Sequence, residues 1–147
     1  MTTRPPVKAL TSLTTYQSHN LIVELAHPEA IIPKQASTKV AGYDPYSVQT
    51  STVKSNCILR INIGLKLQLP MNTYGYIASH NGLVVKYSVH TEGGVIDPDF
   101  TGELQVILHN FGTSDFTVYK CDRIAQLILE QFESPIIVTA EAIEQTL

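Results

Sequence analysis

The sequence predicts an all-β domain of the sandwich, jelly-roll or barrel class, and three observations carry that prediction. Leu59, Ile61, Ile63, Leu65, Leu67 and Leu69 alternate with Arg60, Asn62, Gly64, Lys66 and Gln68. A period of two puts the first set on one face of a strand and the second on the other, a pattern no helix can use because its faces repeat every 3.6 residues. Turn-forming residues punctuate the chain at Pro70 with Asn72, Asn81-Gly82, Gly93-Gly94, Pro98 with Gly102, and Gly112 to Asp115. Finally, 147 residues with 44% hydrophobic and 16% charged side chains supply a core for one domain.

Taken in order, residues 1–18 are rich in Thr, Ser and Pro without periodicity and read as a loose arm. Strand signal begins at Leu21 and includes the long alternating run. Shorter strands are expected at Tyr74 to Ala78, Gly94 to Ile96, Leu104 to Asn110, Phe116 to Val118 and Ile124 to Phe132. Helical period is confined to Thr139 to Leu147, and no internal repeat is visible. The expected division is an arm at 1–18, a β domain at 19–138 and the start of a C-terminal arm at 139–147.

The net charge of −3 argues against a protein that coats nucleic acid, because that binding relies on clustered Lys and Arg. A small anionic ligand needs only a few local donors. No run of 18 apolar residues is present, so no membrane span is expected, and the first residues lack the apolar core of a secretory signal. Cys57 and Cys121 form neither a metal-ligand pattern nor a disulfide framework. Their apolar surroundings read as buried free thiols, which implies a reducing, intracellular setting. His19, His27, His90 and His109 show no ligand spacing.

The chemistry-bearing candidate is Gly93-Gly94-Val95-Ile96-Asp97-Pro98-Asp99-Phe100. Paired glycines before a short apolar strand let backbone approach a ligand closely. In an extended segment Asp97 and Asp99 would share a face, where two carboxylates can hold a metal or one can act as base on a water. An acidic turn, with Asp bonding to amides and Gly102 supplying positive φ, explains the same residues. Ala41-Gly42-Tyr43-Asp44 reads as a turn whose Asp caps amides. Asp122-Arg123-Ile124-Ala125-Gln126-Leu127 begins a strand with what could be a solvated ion pair.

The order and spacing of these segments resemble the trimeric dUTPase family, which carries five ordered motifs. Ala41 to Asp44 is similar to the first, Tyr74 to Leu83 aligns with the second, Gly94 to Glu103 resembles the third, and Asp122 to Ile128 resembles the fourth. The resemblance implies a jelly-roll-like β-barrel assembled as a homotrimer with three active sites between subunits. It implies hydrolysis of dUTP to dUMP and pyrophosphate with Mg²⁺, the ion being held mainly by the substrate phosphates. Gly93, Gly94, Val95 and Ile96 would read uracil through backbone groups, Phe100 would pack on the deoxyribose, and Asp97 would orient the attacking water. Gln126 and Asn81 would contact phosphate, with Asp44, Asp99, Ser79, His80, Asp122 and Arg123 supporting the site.

The sequence departs from the family pattern in its second motif, usually Arg-Ile-Ala-Pro-Arg-Ser-Gly. Tyr76, Ser79, His80 and Asn81 stand where Arg, Pro, Arg and Ser are expected. Each lost Arg removes a permanent charge and a bidentate donor. Phe100 replaces the usual Tyr, Cys121 replaces a Gly, and the Gly-rich fifth motif, expected from about Leu147 onward, has no counterpart. Two functions are compatible with this: a dUTP diphosphatase with an altered phosphate loop, or a catalytically weakened relative acting as an interaction or regulatory module. An intracellular location, with viral origin possible, accompanies both.

Overall fold

The computed structural model describes residues 19–145. The strands are β1 (Ile22–Leu25), β2 (Ser51–Val53), β3 (Ile58–Asn62), β4 (Leu65–Gln68), β5 (Thr73–Ser79), β6 (Val89–Glu92), β7 (Val95–Ile96), β8 (Gln105–Asn110), β9 (Phe116–Val118) and β10 (Ala125–Gln131), with a helix α1 (Asn81–Tyr87) between β5 and β6. They pair antiparallel in four small sheets ordered β1-β4, β10-β5-β7, β2-β9 and β3-β8-β6. Most pairings are distant in sequence, as expected when strands change sheets around a closed core. The expected arm at residues 1–18 lies outside the described residues.

The long alternating run keeps its facing but not its continuity. Ile61, Ile63, Leu65 and Leu69 are buried, so the odd-numbered side chains do face the core. The backbone, however, breaks at Gly64, which sits at φ +72°. There the chain leaves β3, paired to β8, and enters β4, paired to β1. A Cβ on Gly64 would lie 2.6 Å from the Cβ of His27, so glycine is required for both the conformation and the space. Periodicity reports facing and is blind to a change of partner strand.

Ile61, Ile77, Val106, Leu108, Val118 and Leu127 form the centre of the core. Fully burying each contributes about 1.5–3 kcal/mol. Asn110 is a fully buried polar residue beside this core. Its amide donates to the carbonyls of Val53 (2.9 Å) and Ser114 (2.8 Å), and its Oδ1 accepts from Gly112 N (2.9 Å). With those bonds made, burial does not leave its polar atoms stranded.

Four expectations are corrected. Asn81-Gly82 opens α1 rather than a turn. Extended His80 serves as N-cap, and its carbonyl accepts from Leu83 N and Val84 N. Seven residues are too few for a helical period to be read. Conversely, residues 139–145 are not helical and are exposed. A short segment without a packing partner does not sustain a helix, and Thr146 and Leu147 lie outside the described residues. Cys57 and Cys121 are exposed, not buried. Cys57 closes a turn on Lys54 (N to O, 3.0 Å), and Cys121 occupies a turn at φ 72°, so neither is an inward strand position. Finally, Asp97 and Asp99 do not share an extended face, because Phe100 N donates to Asp97 O (3.0 Å) and closes a turn over Pro98.

Candidate functional site

Two groups of candidate residues stand on different parts of the sheet β10-β5-β7. The first is the sharp β6–β7 turn, a hairpin in its path although β6 pairs with β8 and β7 with β5, together with the turn after it. Gly93 takes φ +59°, turning the chain from β6 into β7. Gly94 then presses on β5: its carbonyl accepts from Ile77 N (2.7 Å), and a Cβ there would lie 2.4 Å from the Ile77 oxygen. Only a residue without a side chain fits that approach. A cleft of about 580 Å³ opens beside the hairpin, lined by Gly93, Val95, Ile96, Asp97, Asp99 and Phe100, with Arg60, Glu103 and Gln105 opposite.

Phe100 and Val95 are 46% and 63% exposed, so an apolar wall faces outward from this cleft. Gly102 is the floor beneath Phe100, since a Cβ there would come within 2.9 Å of the ring. The turn reading for Asp97 to Gly102 holds for the Asp97–Phe100 turn itself, but Gly102 does not take a positive φ, and among the described residues neither Asp97 nor Asp99 accepts from a backbone amide through its side chain. It does not compete with the functional reading, because the turn carries Asp97 and Asp99 into the same cleft.

The second group surrounds Asp44. Tyr43 and Leu127 exchange backbone hydrogen bonds, each 2.8 Å, tying the first motif to β10. Gly42 makes this possible: a Cβ there would lie 2.4 Å from Gln126 Cγ and 2.7 Å from the Leu127 oxygen. Asp44 is largely buried and its carboxylate accepts from Arg123 Nη1 at 3.4 Å. Asp122 and Arg123 thus are not a pair with each other. Asp122 instead caps its own turn, accepting from Tyr119 N (2.9 Å), which makes it a structural support.

The altered loop at the end of β5 divides its labour. Ser79 Oγ accepts from Thr91 N (2.9 Å) and lies 3.2 Å from Thr91 Oγ1, so it fastens β6 to β5 and is not free for a ligand. His80 lines a cavity with Asp122 and Arg123, and its buried Nδ1 has no hydrogen-bond partner. Asn81, the first residue of α1, is exposed.

One chain does not bring the two groups together. Gln126 pairs with Ala78, whereas Ile96, just before Asp97, pairs with Gly75. With a strand rise of about 3.3 Å and a spacing of about 4.8 Å, the α-carbons of Asp97 and Gln126 are on the order of 16 Å apart. The cavities lined by the hairpin and by His80 and Arg123 share no residue. Arg60 and Glu103 are cleft residues that motif reading passed over. Alternation marks Arg60 as outward-facing, but only the β3-β8-β6 register places it beside Gly93.

The described residues contain no cluster of three or more His, Cys, Asp or Glu that could hold a metal ion. The oxygen donors present are few and hard, which suits a hydrated Mg²⁺ shared with phosphate rather than an ion caged by protein. No helix among the described residues is long and apolar enough to cross a membrane.

A sequence model of the dUTPase family matches residues 28–147. The chain is 38% identical to the deoxyuridine 5'-triphosphate nucleotidohydrolase of Kluyveromyces lactis, with 91% of each chain covered. It is 39% identical to that of Paramecium bursaria Chlorella virus 1, covering 86% of this chain and 90% of the relative. Among solved structures, the dUTPase of Staphylococcus bacteriophage 80alpha with dUpNHpp superposes with a TM-score of 0.82 at 21% identity, covering 87% of this chain and all of that one. The dUTPase of phage phi11 of S. aureus, described with a structural Mg(II) ion, gives a TM-score of 0.81 at 20% identity, covering 86% of this chain. These structural matches bear on the fold.

Proposed function

The chain belongs to the dUTPase family, and from that premise we propose that it hydrolyses dUTP to dUMP and pyrophosphate. The observation that carries this is the hairpin: Gly93 and Gly94 hold bare backbone at the mouth of a cleft that also contains Asp97 and the exposed ring of Phe100. Backbone N–H and C=O groups of Gly93 to Ile96 read the uracil edge. Phe100, backed by Gly102, packs on the deoxyribose. Asp97 accepts a proton from water and aims its oxygen at phosphorus, the general-base role of a carboxylate.

Gln126 donates to a phosphate oxygen, held in place by Gly42. Asn81 donates a second neutral hydrogen bond. Arg123 and Asp44, paired at 3.4 Å, form a charged support for them, and Asp44 would help to hold the hydrated ion through its carboxylate. Mg²⁺, carried mainly by the triphosphate oxygens, supplies charge neutralisation when bound.

We infer further that sites are shared between copies in a homotrimer. Two observations support this: the hairpin and Gln126 groups are separated within one chain, and Ile136, Ile137 and Val138 project beyond β10 with 90%, 92% and 82% exposure. Apolar side chains so exposed call for a covering surface. Light scattering at a trimeric mass is expected, and a clean monomer would refute shared sites.

The decisive assay is pyrophosphate release from dUTP with Mg²⁺, for wild type and Asp97→Asn. No turnover by wild type, or turnover indifferent to Asp97→Asn, overturns the enzyme reading. A second reading, an interaction module on the same scaffold, is favoured by Ser79, His80 and Asn81, which bring no permanent positive charge to the loop. Calorimetry with a non-hydrolysable dUTP analogue separates the two, since tight uracil-specific binding argues against a purely protein-binding role.

A further inference from the structure

We propose that Arg60 is an additional substrate-contacting residue, its guanidinium meeting the triphosphate from the β3 side of the hairpin cleft; this rests on the dUTP-hydrolase reading of that cleft. The argument begins with charge. Asp97, Asp99 and Glu103 all line the cleft, and Arg60 is the one cationic side chain among its lining residues. Asp97 can orient a water toward phosphorus only if the phosphoryl groups pass close to it. Three carboxylates would repel a triphosphate there unless a cation offset them.

Geometry leaves Arg60 available for that task. It points outward on β3, between inward-facing Leu59 and Ile61. Its cross-strand neighbour on β8 is apolar Ile107, and the next residue along that row, Glu92 on β6, is already engaged by His109 Nδ1 at 2.5 Å. Among the described residues, the ion pairs are His109–Glu92, Lys120–Glu29 and Arg123–Asp44, so no carboxylate lies within 4.0 Å of the Arg60 nitrogens. A guanidinium without an ion-pair partner, in a cleft with three carboxylates that also lack one (Glu103 accepts only from Asn62 Nδ2, at 3.4 Å), fits a site whose counter-charge arrives with the ligand. Its fork of donors matches phosphate oxygens bidentately, which Lys cannot reproduce.

His80 and Asn81 bring no permanent charge to the end of β5. In the proposed site Arg60 supplies one to the triphosphate from another strand and another sheet, on the side of the hairpin cleft.

The test uses the full-length protein. Steady-state dUTP hydrolysis and calorimetric binding of deoxyuridine are measured for wild type, Arg60→Gln and Arg60→Lys, with the assembled mass of each by light scattering. Losing a charge-assisted contact to phosphate corresponds to roughly a 10- to 100-fold rise in KM for dUTP in Arg60→Gln. Arg60→Lys falls between, and deoxyuridine, which has no phosphate, binds all three alike. A KM within twofold of wild type in Arg60→Gln overturns the proposal. So does an equal loss of deoxyuridine affinity, which would mean that Arg60 merely supports the hairpin. A fall in assembled mass also overturns it, reassigning the guanidinium to a subunit interface. If wild type neither hydrolyses dUTP nor binds deoxyuridine, the parent reading fails and this one with it. If wild type does both, only the role of Arg60 is at stake.

Discussion

Replacing Gly94 by Ala tests whether the hairpin is held by backbone contact alone. The new methyl would sit 2.4 Å from the Ile77 oxygen and 3.3 Å from both Ile77 C and N, all immovable main chain. Relief to an ordinary contact requires the hairpin to retreat by about 1 Å, which also stretches the Ile77 N to Gly94 O bond of 2.7 Å. Overpacking of this kind costs about 1–3 kcal/mol. Loss of the hydrogen bond adds about 1 kcal/mol. For a domain of this size a sum of about 2–4 kcal/mol lowers Tm by roughly 10 °C. The same 1 Å shift moves Asp97 relative to substrate, and misplacement on that scale costs about 10²-fold in kcat/KM. Thermal melts and steady-state kinetics are the assays. Gly82→Ala is the control, since its added Cβ meets nothing nearer than 3.4 Å and lies in α1, where Ala is favoured over Gly by about 1 kcal/mol. A Gly94→Ala protein that melts and turns over like wild type would refute the close-approach argument outright.

Gly42→Ala should push Gln126 aside and loosen the Tyr43–Leu127 bridge, raising KM for dUTP while lowering stability by about 1–3 kcal/mol; unchanged kinetics would show that Gln126 does not depend on Gly42. Cys121→Gly should stabilise by about 1 kcal/mol in urea melts, because the left-handed φ of 72° strains any residue with a Cβ. In the native protein both cysteines should react with maleimide, being exposed. The hydrogen bond from Tyr74 to Glu130 raises the phenol above its usual 10.0, helped by partial desolvation and the Glu130 charge. A folded-state value above the unfolded one gives stability that is complete below pH 10 and fades as pH climbs through the folded value. Tyr74→Phe should therefore flatten the Tm profile above pH 10, and an identical profile in both proteins would count against the contact.

The sequence was most informative where a property repeats along the chain. The odd-numbered residues from Leu59 to Leu69 face inward as their alternation requires, and Phe116 to Val118 is a strand at the expected bounds. The break at Gly64 was not visible, because it is made by His27 and by a change of partner strand, both distant in sequence. Motif order located the hairpin and the Asp44 group, since each is local. It could not assign roles within them. Ser79 and Asp122 are absorbed by Thr91 and Tyr119, bonds that depend on how strands meet rather than on neighbouring residues. Arg60 was hidden for the same reason, being brought beside Gly93 only through β8.

The distance between Asp97 and Gln126 within one chain has a consequence for inheritance. If each site draws its hairpin from one copy and its Gln126 corner from another, a lesion at Asp97 and a lesion at Gln126 do not spoil the same part. Two chains, each dead alone, can between them furnish an intact site, so in a mixed population such alleles would complement. A lesion at a core position such as Leu127 would find no such rescue, because every copy must fold before it can lend its half.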